Sequence, residues 1–184
     1  MKHLAILILM LIGGYSANAQ KYMTRNGYIG LYSHTPLEEI KADNNQVAGV
    51  LDSATGEMVF QVLIKSFHFE RALMEEHFNE NYMESEKFPK SVFKGKITDP
   101  SSVNFAKEGK YKVTVEGDLT IHNVTKRISA GGTIEILPGG IKAESKFNIV
   151  PEDYGITIPG VVRDKINKSL ELTVLMNYTP VINK

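Results

Sequence analysis

Between Tyr111 and Tyr178 the chain alternates apolar and polar residues in four successive runs, and each run has one dry face that must be covered. In the first, Tyr111, Val113, Val115, Gly117, Leu119 and Ile121 face one way, while Lys112, Thr114, Glu116, Asp118 and Thr120 face the other. The second sets Ile128, Ala130, Gly132, Ile134 and Ile136 against Arg127, Ser129, Thr133 and Glu135. After a Pro138-Gly139-Gly140 turn, the third sets Ile141, Ala143, Ser145, Phe147 and Ile149 against Lys142, Glu144, Lys146 and Asn148. The fourth runs from Leu170 to Tyr178. Short turns between long strands make sequence neighbours pair as hairpins.

The first half adds strands at Gly27–Ser33, Gln46–Asp52, Glu57–Lys65 and Ser91–Ile97, with a Ser53-Ala54-Thr55-Gly56 turn between the second and third of these. Between Arg71 and Glu86 the period changes. Met74, Phe78 and Tyr82 recur every fourth residue opposite a Glu76, Glu80, Glu84 stripe. That pattern predicts one amphipathic helix of about three turns, ended by Phe88-Pro89. One helix cannot cover the dry faces of about eight strands, so the sheet must pack on another sheet or close on itself. Gly117, Gly131 and Gly132 provide room for strands to bend at corners. With polar residues outward, a closed barrel has an apolar interior, which side chains fill or a greasy ligand occupies.

Composition narrows the function. Twenty-one basic residues balance twenty-one acidic ones, which speaks against a nucleic-acid partner. The absence of cysteine removes disulfides, thiolate metal sites and a thiol nucleophile. Lys2-His3, the apolar run Leu4–Ile12 and Ala17-Asn18-Ala19 read as a signal peptide over residues 1–19. Cleavage there leaves residues 20–184 as one domain of net charge −1, periplasmic or secreted, with no segment apolar enough to span a membrane.

Gly117-Asp118-Leu119-Thr120-Ile121-His122-Asn123-Val124-Thr125-Lys126 resembles the central signature of the YceI-like family, a "Leu-Thr-Ile-x-Gly-Val-Thr-Lys" hairpin after a glycine. The acidic-striped helix, aromatic-Pro step and Phe-x-Gly strand over Phe69–Gly95 are similar too, as are Phe147-Asn148-Ile149 and Asp153-Tyr154-Gly155-Ile156. The resemblance spans roughly Gly27 to Tyr178. It implies an exported, lipocalin-like closed antiparallel barrel whose lumen holds a long polyisoprenoid chain. Two departures stand out. Asn123 replaces the usual glycine, a mild change because asparagine tolerates left-handed turns. Val150-Pro151 stands where many members place arginine, which implies a different lipid head group.

The candidate ligand-binding residues are Phe60, Val62, Phe67, Phe69, Phe78, Phe93, Tyr111, Val113, Val115 and Ile156, which either line a tunnel or form a core. The connection Pro151–Lys168 has the length of a lid, and its Ile156, Ile158, Val161 and Val162 are expected to cap the barrel mouth. Arg163, Lys165 and Lys168 near its end meet a phosphate head or are simply solvated. His34, His68, His77 and His122 lack metal-site spacing, and Ser66, His68 and Glu70 lack an oxyanion site, so neither a metal nor a catalytic triad is expected. The expected activity is binding of an isoprenoid or other amphipathic lipid, without enzyme chemistry or a cofactor. A side-chain-filled barrel acting as an envelope interaction module is the alternative. A homodimer is compatible with either.

Overall fold

The computed structural model describes residues 20–182; the expected signal peptide lies outside them. Nine strands form one antiparallel sheet: β1 (Lys21–His34), β2 (Glu39–Asp52), β3 (Glu57–Leu63), β4 (His68–Phe69), β5 (Lys90–Ile97), β6 (Gly109–Ile121), β7 (Val124–Leu137), β8 (Gly140–Ile149) and β9 (Leu170–Pro180). Eight of them run in the order β1-β9-β8-β7-β6-β5-β3-β2, and β1 pairs with β2 to close the barrel. The two-residue β4 adds to β2 at Ala42 and Asp43. Closure removes most open edges and turns every dry face toward one axis. No helix of the described residues is long and apolar enough to cross a membrane.

The predicted turns form as their residues dictate. Pro138-Gly139 joins β7 to β8 with Gly139 at φ 81°, and His122-Asn123 joins β6 to β7 with both residues left-handed, at φ 49° and 62°. Two positive φ angles are the signature of the hairpin turn whose twist matches its strands. Gly117 faces Gly95 across β6 and β5, and the Phe93 ring lies over the pair. A Cβ on Gly117 would come within 2.4 Å of Gly95 Cα, so this close crossing requires glycine.

Four boundaries differ from expectation. β1 begins at Lys21 and β2 at Glu39, six and seven residues earlier than predicted. Register shifts around Arg25-Asn26 and Asn45-Gln46 flip the inward phase along each strand and hide the alternation. β3 ends at Leu63, where Ile64–Ser66 turns as a 3₁₀ segment. The helix α1 covers only Ala72–His77 and then widens into a π turn over Phe78–Tyr82. Met83 N–H donates to Phe78 O and Ser85 N–H to Asn79 O, and Glu84 at φ 42° stops the helix well before Pro89.

Two long connections, residues 64–89 and 150–169, leave the same end of the barrel, along with the β1–β2 and β6–β7 turns. The other end holds the short β2–β3 and β7–β8 turns, the β5–β6 loop and both ends of the described chain. The two long connections therefore stand together at one end of the lumen.

Candidate functional site

The inward residues do not fill the barrel. They surround a cavity of about 320 Å³, within the ~300–1,000 Å³ usual for small-molecule sites. Its walls come from the dry faces read in the sequence. Val113, Val115, Leu119 and Ile121 of β6 face Ile128, Ala130 and Ile134 of β7, followed by Ala143, Phe147 and Ile149 of β8 and Leu172, Val174 and Met176 of β9. Ile29, Leu31, Met58, Phe60, Val62 and Phe93 complete the circle.

Nine of the ten candidate residues line this cavity: Phe60, Val62, Phe67, Phe69, Phe78, Phe93, Val113, Val115 and Ile156. They fall into two aromatic groups. Phe60 and Phe93 stack on the wall at 5.7 Å between centroids. Phe78 meets Phe67 at 5.4 Å and Phe69 at 5.0 Å beneath the helix. Tyr111 is the exception. It has the inward phase but lies beyond the lined stretch, beside Gly109, and its hydroxyl donates to Lys107 O at 3.0 Å.

Both long connections close over the lumen. The first returns to β2 through β4, which sends Phe67 and Phe69 inward, and α1 with its π turn adds Met74, Phe78, Tyr82 and Met83 to the lining. His122 on the β6–β7 turn holds it: Nε2 lies 2.9 Å from Glu84 Oε2, and the ring meets Phe88 edge-on at 4.4 Å. The second connection places Pro151, Ile156, Ile158 and Val162 in the lining. Gly155, at φ 71°, turns it beside Val124 and His122, which accounts for the Asp153-Tyr154-Gly155-Ile156 element. At its far end Asn167 N–H donates to Ser33 Oγ at 2.9 Å and Asn167 Nδ2 to His34 O at 3.0 Å, tying it to β1. Val161 departs from expectation: it is 91% exposed and caps nothing, since its neighbour Val162 takes the inward position.

Most polar lining residues lie where the wall ends; Ser145 belongs to the dry face and Lys165 to the basic group read from the sequence, while Thr133 and Glu144 have the outward phase. Glu38, His77 and Lys165 sit at the mouth. Thr133, Glu144 and Ser145 mark a second place, where the β7–β8 ladder stops at Gly132 and Ser145. Beyond that rung, Val124–Gly131 and Lys146–Ile149 diverge, and Ser145 Oγ donates to Gly131 O at 2.8 Å as a last tie. Ser91 lies opposite Val62 in the lining, and Glu38 carried no signal in the sequence that placed it at the mouth.

The remaining candidates do not converge. His34 stacks on Tyr32, His68 approaches Glu75 at 3.5 Å, and Ser66 reaches Gln46. Among the described residues no three His, Cys, Asp or Glu side chains come together. Arg163 is held by Glu152 at 3.5 Å and donates to Ile158 O at 3.0 Å, so it braces the second connection.

The profile of the YceI-like domain matches residues 24–177, essentially the whole barrel. No curated protein matches the chain by sequence. Solved structures with this fold include a polyisoprenoid-binding domain from Saccharophagus degradans implicated in plant cell wall breakdown, at TM-score 0.76 and 12% identity, covering 89% of this chain and 99% of that one. BcnA of Burkholderia cenocepacia superposes at TM-score 0.70 with 11% identity, over 83% and 96% of the two chains. A Campylobacter jejuni YceI protein does so at 0.62 with 17% identity, over 82% and 90%. At these identities the structures speak for the fold.

Proposed function

The chain belongs to the YceI-like domain family, and on that footing we propose that its lumen holds an amphipathic lipid with a long apolar tail, a polyisoprenoid, for storage, shielding or transport outside the cytoplasm. The observation that carries this reading is the cavity itself: a space ringed by all eight barrel strands and roofed by two connections, with a lining that is mostly apolar. A lumen packed solid with side chains, as the interaction-module alternative requires, does not agree with it. The Saccharophagus degradans neighbour, described as binding polyisoprenoid, supports the ligand class. Leu4–Ile12 followed by Ala17-Asn18-Ala19 supports export.

The mechanism is shielding. Each CH₂-sized group moved from water into the lumen gains about 0.8 kcal/mol, so a five-carbon isoprene unit contributes about 4 kcal/mol. Association costs roughly 4–15 kcal/mol, so several units must enter before binding is tight. Measured against a bilayer, where the tail is already dry, the gain nearly vanishes. Such a barrel takes lipid from one apolar phase and returns it to another. The reading requires no bond to be made or broken.

The test is retention of a long-chain polyprenol delivered from detergent, followed by gel filtration and extraction. Stoichiometric retention supports the reading. No retention by a folded protein, with all detergent removed, contradicts it.

A further inference from the structure

A tail that leaves a bilayer through water loses the same ~0.8 kcal/mol per CH₂ that the lumen later returns. A carrier avoids that barrier only if its mouth rests against the membrane. The mouth of this barrel has the residues for it. Four large apolar side chains are more than half exposed among the described residues: Leu37 at 67%, Leu73 at 60%, Val161 at 91% and Ile182 at 83%. Single exposed apolar residues are ordinary, but three of these four lie at the mouth end, on three different segments. Leu37 is on the β1–β2 turn, Leu73 on α1 and Val161 on the second connection.

Each is also the immediate chain neighbour of a residue that lines the cavity: Leu37 of Glu38, Leu73 of Met74, Val161 of Val162. The lining residue turns in and the neighbour turns out, at three points around one rim. Two of the segments are joined, because the Arg71 guanidinium binds the Glu38 carboxylate. That pair and Arg163–Glu152 neutralise four charges near the three side chains, while Glu70, Glu76, Glu80, Asp153 and Asp164 outnumber Lys165 and Lys168 and leave the mouth end acidic. What the three side chains offer is apolar area beside an apolar cavity, which suits an uncharged lipid surface.

We propose that the mouth is a membrane-docking face, in which Leu37, Leu73 and Val161 seat in the boundary between head groups and acyl chains and hold the cavity against a bilayer. The proposal rests on the reading of the lumen as a lipid site, but it is tested without filling the lumen. Burying one Leu or Val is worth about tenfold in partitioning. Because the mouth end carries excess carboxylates, docking is expected on zwitterionic vesicles and weaker on anionic ones at low salt.

The chain has no tryptophan, so a single introduced one reports its own surroundings. Val161→Trp is expected to shift its emission to the blue on adding phosphatidylcholine vesicles, and Ile182→Trp, at the opposite end, is not. The unlabelled protein should float with the same vesicles, and the Leu37→Ser, Leu73→Ser, Val161→Ser triple variant, with unchanged circular dichroism, should lose roughly tenfold for each residue replaced. No flotation of the parent protein, equal shifts at both ends, or undiminished flotation of the triple variant would overturn the proposal. Polyprenol retention from detergent is scored separately. A protein that retains polyprenol but does not float loses the docking face and keeps the lumen. One that floats by these residues but retains nothing keeps the docking face and loses the lumen.

Discussion

Asn44, a residue no solvent reaches, donates its side-chain amide to the carbonyl of Leu63 at 2.9 Å, at the point where β2 and β3 part. Its Oδ1 accepts from Gln46 N–H at 2.9 Å and so fixes the register shift in β2. The β2–β3 ladder has only four rungs, from Ala48 to Leu51, and below it β2 is free to receive β4. One polar side chain thus opens the wall that Phe67 and Phe69 enter. Asn44→Ala leaves the part-buried Leu63 carbonyl and Gln46 N–H without this partner and empties part of a fully buried site. Urea unfolding is expected to record a loss of about 1–3 kcal/mol; no measurable loss would remove Asn44 from this role.

Filling the lumen separates binding from folding. Ala143 faces the cavity from β8, with Ile134 and Met176 across its ladders. Ala143→Trp occupies existing space and is expected to reduce polyprenol retention at least tenfold while the thermal transition stays within a few degrees of the parent. Val113→Lys and Val115→Lys should abolish retention too, but a charge placed in an apolar lumen also costs stability. Full retention in a folded Ala143→Trp protein would put the ligand elsewhere.

Two phenols make the fold sensitive to alkali. The hydrogen bond from Tyr28 to Asp43, 2.6 Å, together with burial pushes the Tyr28 phenol up to about 12 from 10.0. Burial alone pushes Tyr178 up further. A group whose pKa is raised by folding contributes fully below its unfolded pKa, and the contribution is lost as pH rises through the folded value. Stability is therefore expected to hold up to about pH 10 and fall above it, with a shallower fall in Tyr28→Phe and Tyr178→Phe. A fall of equal steepness in both variants would contradict the assignment.

At neutral pH Tyr178 carries a different prediction. Its hydroxyl is buried without a protein hydrogen-bond partner. Tyr178→Phe removes that unpaired group and should leave stability unchanged or raise it by up to about 1 kcal/mol. A clear loss would reveal a partner for the hydroxyl.

The β6–β7 turn yields a graded series. Asn123 sits at φ 62°, so Asn123→Gly should be neutral or slightly stabilising, and Asn123→Val should cost about 1–2 kcal/mol. His122→Ala removes the contacts to Glu84 and Phe88 and should speed amide exchange over residues 84–88. Unchanged exchange there would mean that the first connection is held by other contacts.

What the sequence made legible follows from how each element advertises its burial. β6 to β9 show unbroken alternation, so their walls, Val113 and Val115 among them, could be read directly, whereas Phe67, Phe69 and Phe78 were picked out as aromatics and not by strand phase. β1 and β2 carry register shifts that flip the phase midway, and Asn44 and Ala42 face inward where large apolar residues are expected, so their first halves were missed. The period-four stripe Met74, Phe78, Tyr82 persists although the backbone has become a π turn, which lengthened the predicted helix. In the 3₁₀ segment Gly160–Lys165 no periodicity distinguishes Val161 from Val162, and only the fold decides which turns inward. The mouth residues Glu38, His77 and Lys165 come from three distant segments that closure of the barrel brings to one rim.

The central claim is that the lumen carries a lipid. Native mass spectrometry of the protein purified from its own cells without detergent, followed by solvent extraction, tests it most directly. The account predicts a one-to-one adduct that extracts as a prenyl lipid and is absent from Ala143→Trp. A parent protein that emerges at its bare mass, and stays at that mass after incubation with polyprenol, would contradict it.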